Sequence, residues 1–385
     1  MKRLLFDGTA TQGYGNTNYH GGGEYAKYYL RNALYEGFDF DIVFQNKSFT
    51  DPQILELLQQ YPNIKIFWVN NLDEIYSLIK EKGYSRFYSA LPYKYVDYKC
   101  DAKFIGVIHG LRGVELPWDS YRYLYEKKYL KKITSYIINY LPPIKNIFKE
   151  RNFDRFKKIL SIPNALFITV SNHSQSSLIN YFPFLNKNIV RVFYSPFELP
   201  PKDDNVIIRD GNGYYLMVSA NRYEKNIFRA IEVLDDLIEK KLINRKVVVL
   251  GCDIANKFFS RIKNAQYFDF RRYVSEEDLI KIYRGAFCFI YPSLNEGFGY
   301  PPILAQSIGI PVIASSATSI PEATGNIPLF FNPISKDDLA CRIIEIENRK
   351  DIREQQANKG KQWANRLYAR QKDETHELLN IIFNE

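Results

Sequence analysis

The chain has 385 residues, more than one hydrophobic core usually organises, so two domains of about 200 residues each are expected. Apolar residues make up 46% and charged residues 25%, which excludes a disordered or collagen-like chain. Net charge is +9, and four scattered cysteines form no C-x-x-C pair, so neither a zinc framework nor a disulfide scaffold is indicated; reduced thiols in the cytoplasm are the expectation.

Met1, Lys2 and Arg3 precede only three apolar residues, too few for a signal peptide, and no later apolar run approaches the roughly 18 residues of a membrane span. Short β-rich runs then alternate with amphipathic helical stretches, the pattern of βαβ units in parallel sheets. In the first half the strands are predicted at 3–6, 41–44, 65–69, 86–89, 104–109, 166–170 and 190–193. Helices are predicted between them, among others at 24–34, 54–60 and 72–82. Between 121 and 160 eleven Lys and Arg stand against three Asp and Glu, a net +8, with Tyr, Ile, Leu and Phe at near-helical spacing. Such a segment fits an anionic membrane surface or a solvated helix face. Pro, Asp and Gly interrupt the periodicity at 196–212, the expected linker. A second α/β series follows, with strands at 215–219, 246–250, 287–291 and 311–314 and a helix at 226–240. The last 35 residues read as a charged helix. The 30 Tyr and 27 Phe suit strand packing as well as sugar faces.

In open α/β sheets ligands bind at the carboxyl ends of strands, where helix N-termini offer unpaired N–H groups to anions. Four motifs fall there. His20-Gly21-Gly22-Gly23-Glu24 opens the first helix after a Gly-rich loop, and its glycines allow close backbone approach to a phosphate or a sugar, or simply a tight turn. His109-Gly110 ends the strand at 104–109, where an imidazole can bond a sugar hydroxyl or serve structure alone. Asn221-Arg222-Tyr223-Glu224-Lys225-Asn226 sets two cations before a helix, a diphosphate site or a solvated basic turn. Tyr291-Pro292-Ser293-Leu294-Asn295-Glu296-Gly297-Phe298-Gly299-Tyr300-Pro301-Pro302 is the most specific. It offers one carboxylate for sugar hydroxyls and the Gly297, Phe298 and Gly299 amides for a phosphate, with prolines that start a helix at fixed φ.

The run from Tyr291 to Asn326, with Pro311-Val312-Ile313-Ala314-Ser315 and Ile320-Pro321-Glu322-Ala323-Thr324-Gly325, resembles the C-terminal signature of glycosyltransferase family 4, the group 1 retaining transferases. Gly21 to Gly23, His109, Ile168-Thr169-Val170-Ser171, Lys225-Asn226 and Tyr273-Val274-Ser275-Glu276-Glu277 stand in that family's order. The resemblance implies a GT-B fold, an α/β architecture of two Rossmann-like domains facing across a cleft. It implies an acceptor-binding domain at 1–200, a nucleotide-sugar-binding domain at 201–365 and a helix at 366–385 packing back on the first. It further implies a metal-independent hexosyltransferase without cofactor, acting in polysaccharide or lipopolysaccharide biosynthesis.

Carried over by position, Glu296 is the first acidic residue of the E-x7-E motif and grips the donor sugar, with His109 as the cleft histidine beside it. Lys225 meets the donor diphosphate, Arg222 stands near it out of the usual register, and Tyr273 and Val274 meet the base. The second acidic position is Leu304, a departure that puts ordinary ribose recognition in question and favours a deoxyribose donor such as dTDP-rhamnose. The implied partners are a dTDP, UDP or GDP sugar and a glycan or lipid-linked acceptor, with peripheral membrane contact through 121–160 at the inner face and no nucleic acid. Two rivals remain: a metal-dependent transferase using Asp39-Phe40-Asp41, and a catalytically degenerate partner subunit.

Overall fold

The computed structural model describes residues 4–13, 20–126, 128–201 and 213–385. Gly15 of the Gly-rich loop and most of the expected linker lie outside them. The chain divides into two compact units. One comprises Met1–Leu111, Glu150–Pro196 and Ala369–Glu385; the other comprises Arg112–Lys149 and Phe197–Tyr368. Two segments are therefore out of chain order: 112–149 pack with the second unit, and 369–385 return to the first.

The first unit holds a seven-stranded parallel sheet: β1 (Leu4–Asp7), β2 (Asp41–Gln45), β3 (Ile66–Val69), β4 (Arg86–Ser89), β5 (Lys103–Ile108), β6 (Leu166–Thr169) and β7 (Val190–Val192). The strand order is β3-β2-β1-β4-β5-β6-β7. Helices α1 (Gly21–Tyr35), α2 (Pro52–Gln59) and α3 (Leu72–Lys82) are crossovers of this sheet; α4 (Arg112–Glu115), α5 (Tyr129–Asn139), α6 (Pro142–Leu160) and α7 (Asn172–Tyr181) follow. Each start has a local cause. Asp51 caps α2 through the Gln53 amide with Pro52 at the first position, and Asn71 caps α3 through the Glu74 amide. The aromatic excess is largely core here: Phe6, Phe87, Phe104 and Phe167 on β1, β4, β5 and β6 are fully buried. A parallel sheet covered on both faces needs such continuous apolar runs rather than alternation.

The second unit repeats the plan with six parallel strands: β8 (Tyr214–Met217), β9 (Val247–Val249), β10 (Phe268–Phe270), β11 (Ala286–Tyr291), β12 (Val312–Ser315) and β13 (Leu329–Phe331). Their order is β10-β9-β8-β11-β12-β13. Between them run α8 (Ile227–Glu239), α9 (Ala255–Phe259), α10 (Glu276–Gly285), α11 (Tyr300–Ile308) and α12 (Ile320–Ala323), and after β13 come α13 (Lys336–Asn348) and α14 (Lys350–Asn384). All six side chains of β11 are buried, as its central place requires. Phe228, Phe258 and Phe270 form a stacked column, with ring centroids 4.0 and 5.2 Å apart, that ties α8 and α9 to β10. The strands β10 and β13, three residues each, are additions to the sequence expectation.

Candidate functional site

Both sheets reverse their winding direction beside the strand that opens them, between β1 and β4 in the first unit and between β8 and β11 in the second. Loops leaving the carboxyl ends of such strands line the binding crevice of open α/β sheets. In the second unit those two loops are the Arg222-to-Asn226 turn after β8 and the Pro292-to-Gly299 loop after β11.

The two loops are joined by a buried ion pair. Lys225 Nζ lies 2.5 Å from Glu296 Oε1, and it also donates to the Tyr291 hydroxyl at 3.0 Å. Ser293 Oγ donates to the same carboxylate oxygen at 2.5 Å and is thus oriented by it. Burial alone would raise the Glu296 carboxyl, but the charges of Lys225 and Arg112 outweigh it and hold the group down at about 2. Burial lowers the Lys225 ammonium from its ordinary value while Glu296 pulls it back up. The glutamate is therefore ionised throughout the neutral range.

Around this pair stand further cations. Arg112 Nη1 donates to Glu224 Oε1 at 2.8 Å, and Arg222 Nη1 lies 3.6 Å from the same oxygen. Both guanidinium groups are partly exposed, so three cations converge on two carboxylates with one positive charge in excess. Arg112 was not among the expected site residues. Its signal was its place, three residues beyond His109 at the carboxyl end of β5, rather than any motif.

The Glu296 loop is fixed by its own backbone. The Glu296 amide donates to Thr318 Oγ1 at 3.0 Å, and Ser319 Oγ donates to the carbonyls of Glu296 and Phe298 at 2.9 and 3.1 Å. Gly299 has φ +108°, a conformation that favours glycine, and no side chain caps α11 behind it. Pro301 and Pro302 lack N–H groups, so the donors at this helix start reduce to Gly297, Phe298, Gly299 and Tyr300. At the start of α8 the Phe228 amide is already taken by the Tyr125 hydroxyl at 3.2 Å.

Tyr273 is exposed beyond β10, and its ring faces Gly251 at the end of β9, where an added Cβ would lie 3.7 Å from it. Val274 turns instead into the apolar cluster of the sheet. Leu304 is half-buried and packs against that same cluster, which includes Leu216, Val218 and Tyr291. Its side chain is satisfied by apolar contact.

In the first unit the glycine run and His109 lie against successive residues of the segment after β4, Leu91 and Ala90. An added Cβ at Gly22 would meet Leu91 at 2.7 Å, and His109 Nε2 donates to the carbonyl of Ala90 at 2.9 Å, so this nitrogen carries the proton. The His109 ring stands edge-on to Tyr25 of α1 at 4.8 Å. The Gly23 amide donates to His20 Nδ1 at 3.0 Å, so His20 caps α1 and uses one of the loop's donors. Asp7 at the end of β1, which sequence reasoning missed, is fully buried and accepts from Ser89 Oγ at 2.6 Å, with Lys94 Nζ 3.7 Å away. Asp41 of the Asp39-Phe40-Asp41 motif accepts from the Tyr84 hydroxyl at 2.5 Å and from the Lys65 amide at 3.1 Å, a structural role at the amino end of β2. Among the described residues no group of three or more His, Cys, Asp or Glu could hold a metal ion. No helix among them is long and apolar enough to cross a membrane.

Residues 201–363 match the family model of glycosyl transferases group 1. An O-antigen chain mannosyltransferase B of Escherichia coli is 28% identical over 194 residues, covering 47% of this chain and 51% of that protein. The chain thus spans about half the length of that curated relative. Among solved structures, a sucrose-phosphate synthase from Thermosynechococcus elongatus superposes with a TM-score of 0.72 at 15% identity, over 99% of this chain and 98% of that one. Anabaena HepE in complex with UDP superposes with a TM-score of 0.65 at 15% identity, over 98% and 99%. These likenesses establish the fold: two Rossmann-like parallel sheets of the GT-B type.

Proposed function

Residues 201–363 belong to the group 1 glycosyl transferases, and we propose that the protein moves a hexosyl group from a nucleoside-diphosphate donor to a glycan or lipid-linked glycan, with retention of configuration. The observation that carries this reading is the Lys225–Glu296 pair at the winding reversal of the second sheet, flanked by Arg112 and Arg222. In this reading residues 201–365 bind the nucleotide sugar, 1–200 bind the acceptor and 366–385 return to the first domain. The relative named for O-antigen mannosyl transfer favours mannose over rhamnose as the hexose.

Glycosyl transfer builds positive charge at the anomeric carbon and negative charge on the departing diphosphate. Lys225, Arg222 and Arg112 take up the second charge, with the Gly297, Phe298 and Gly299 amides as further donors. Glu296, ionised and held rigidly by Lys225 and Ser293, accepts from donor-sugar hydroxyls. His109 Nε2 is committed to Ala90, which fixes the ring plane beside the glycine run Gly21 to Gly23. Tyr273 offers an aromatic face to the base, with Val274 behind it. With cations supplied by the chain, the reaction is proposed to run without a metal or cofactor. A lipid-linked acceptor would bring the chain to the inner face of a membrane in the cytoplasm, with peripheral contact through 121–160.

The test is incubation of the purified chain with dTDP, UDP and GDP sugars, with and without a chelator. Transfer to acceptor or hydrolysis of one donor, unchanged by chelation, is the expected result. A second reading, a partner subunit that binds sugars without turning them over, draws on Leu304, whose apolar packing removes one acceptor of ligand hydroxyls. Absence of both transfer and hydrolysis with every donor would favour it.

A further inference from the structure

Positive φ is uncommon outside glycine, and asparagine is among the side chains that tolerate it best. Seven described residues other than glycine have it, three of them asparagines: Asn164, Asn226 and Asn326. Thr318, with φ +54°, is the one β-branched side chain in the set. A branch at Cβ strains this conformation, whereas a glycine adopts it freely. Such strain persists where the surrounding contacts over-determine the backbone, and it gathers at functional sites.

Thr318 stands in the turn between β12 and α12, which is held on both sides. The Ala317 amide donates to Ser315 Oγ at 3.0 Å, and the Ser316 amide donates to the Phe331 carbonyl at 2.9 Å. On the far side Ser319 is fully buried, and its carbonyl accepts from the Ala323 amide at 2.9 Å. In extended backbone Thr318 and Ser319 would point to opposite faces. The left-handed turn lets both reach one loop. Thr318 Oγ1 accepts from the Glu296 amide at 3.0 Å, and Ser319 Oγ donates to the Glu296 carbonyl at 2.9 Å. Two successive residues thus take both the N–H and the C=O of Glu296, so the backbone that carries its carboxylate is held at both ends. Lys225 Nζ and Ser293 Oγ then fix the carboxylate itself.

A glycine at 318 would make the same turn without strain but has no oxygen for the Glu296 amide. The hydroxyl is what the strained residue supplies, and it meets the glutamate read as the grip on the donor sugar. We propose that Thr318 is a positioning residue for Glu296, holding its amide so that the carboxylate meets the donor sugar at a fixed angle. This deepens the transferase reading and rests on the role given there to Glu296.

The full chain is compared with Thr318→Gly and Thr318→Ser. Exchange of the Glu296 amide hydrogen, followed by NMR without any nucleotide, should quicken about tenfold or more in Thr318→Gly and stay near wild type in Thr318→Ser. The melting temperature of Thr318→Gly should remain within a few degrees of wild type, because relief of the turn offsets the lost bond. With the dTDP, UDP or GDP sugar that wild type turns over, Thr318→Gly should lower kcat about tenfold to a hundredfold. Affinity for the corresponding free nucleoside diphosphate should not change, since Lys225 and the arginines hold it, and Thr318→Ser should restore kcat to within about threefold. Unchanged amide exchange in Thr318→Gly overturns the proposal whatever the activity. Wild-type kcat despite faster exchange overturns it as well, as does a fall in kcat that tracks a large loss of melting temperature. A wild type that turns over none of the donors defeats the transferase reading by itself, and the exchange rates still decide whether Thr318 holds Glu296.

Discussion

Glu296 and Lys225 pair across two loops that are 71 residues apart in sequence, at 2.5 Å and with both side chains buried. The glutamate is depressed from the ordinary 4.5 to about 2. A group lowered in the folded state adds stability that is fully present above its unfolded value and is lost as pH falls through the folded one. The difference in unfolding free energy between wild type and Glu296→Gln should therefore be about 3 kcal/mol above pH 5 and shrink between about pH 4.5 and 2. Denaturant unfolding across that range measures it, and a difference independent of pH would remove the charge interaction as its source.

The same carboxylate is proposed to hold the donor sugar. Glu296→Ala should lower turnover by about a hundredfold or more, on the order of 3 kcal/mol in the transition state. Near wild-type rates from a folded variant would take Glu296 out of the reaction.

Arg112 and Lys225 should separate by their burial. The Arg112–Glu224 contact is partly exposed, and such pairs contribute at most about 1 kcal/mol to stability. Arg112→Ala should leave the melting temperature within a few degrees of wild type yet weaken nucleoside-diphosphate binding several-fold. Lys225→Ala, which strands a buried carboxylate, should lower both, the stability by about 3 kcal/mol. Calorimetry beside thermal unfolding checks the pair, and unchanged affinity in Arg112→Ala would confine that arginine to the loop.

The alternation of strands and helices was legible because parallel strands buried on both faces leave unbroken apolar runs, as in Ala286–Tyr291. Phe268–Phe270 and Leu329–Phe331 escaped because, unlike the equally short Val190–Val192 and Val247–Val249, they carry no β-branched residue. The motif loops after β8 and β11 could be read from their Gly, Pro and charged residues. Their coupling could not, because nothing local ties Lys225 to Glu296 or Arg112 to Glu224: the winding of the second sheet brings the first two together, and the excursion of 112–149 brings Arg112 to Glu224. The excursion of 112–149 into the second unit was hidden for the same reason: its contacts, such as the Tyr121 hydroxyl donating to Glu232 at 2.6 Å, are made far along the chain.

Gly325 ends the Pro-Glu-Ala-Thr-Gly run of the signature with φ +63°, and an added Cβ would lie 2.5 Å from the Trp363 indole. That indole is itself held in place, since its Nε1 donates to the Ala323 carbonyl at 2.8 Å. Left-handed backbone and overpacking together predict that Gly325→Ala costs about 3 kcal/mol. In a Trp363→Leu background the cost should fall by about 1 kcal/mol, since the smaller side chain can give way. Equal losses in the two backgrounds would leave backbone strain as the whole cause.

Leu304 stands eight residues after Glu296, where a second carboxylate would accept from ribose hydroxyls, and its side chain instead joins the apolar cluster of Leu216, Val218 and Tyr291. A leucine accepts nothing, so a ribose 2′ hydroxyl desolvated beside it would cost about 1–3 kcal/mol that a deoxyribose does not incur. Titration calorimetry with dTDP, UDP and GDP should then rank dTDP first, and Leu304→Glu should shift the preference toward the ribose nucleotides. The substitution also takes a half-buried apolar group out of its cluster, so its stability is measured separately from its affinity. Binding of UDP or GDP tighter than dTDP by about tenfold, or 1.4 kcal/mol, would exclude the deoxyribose preference and leave Leu304 as a packing residue whose ribose partner lies elsewhere in the loop.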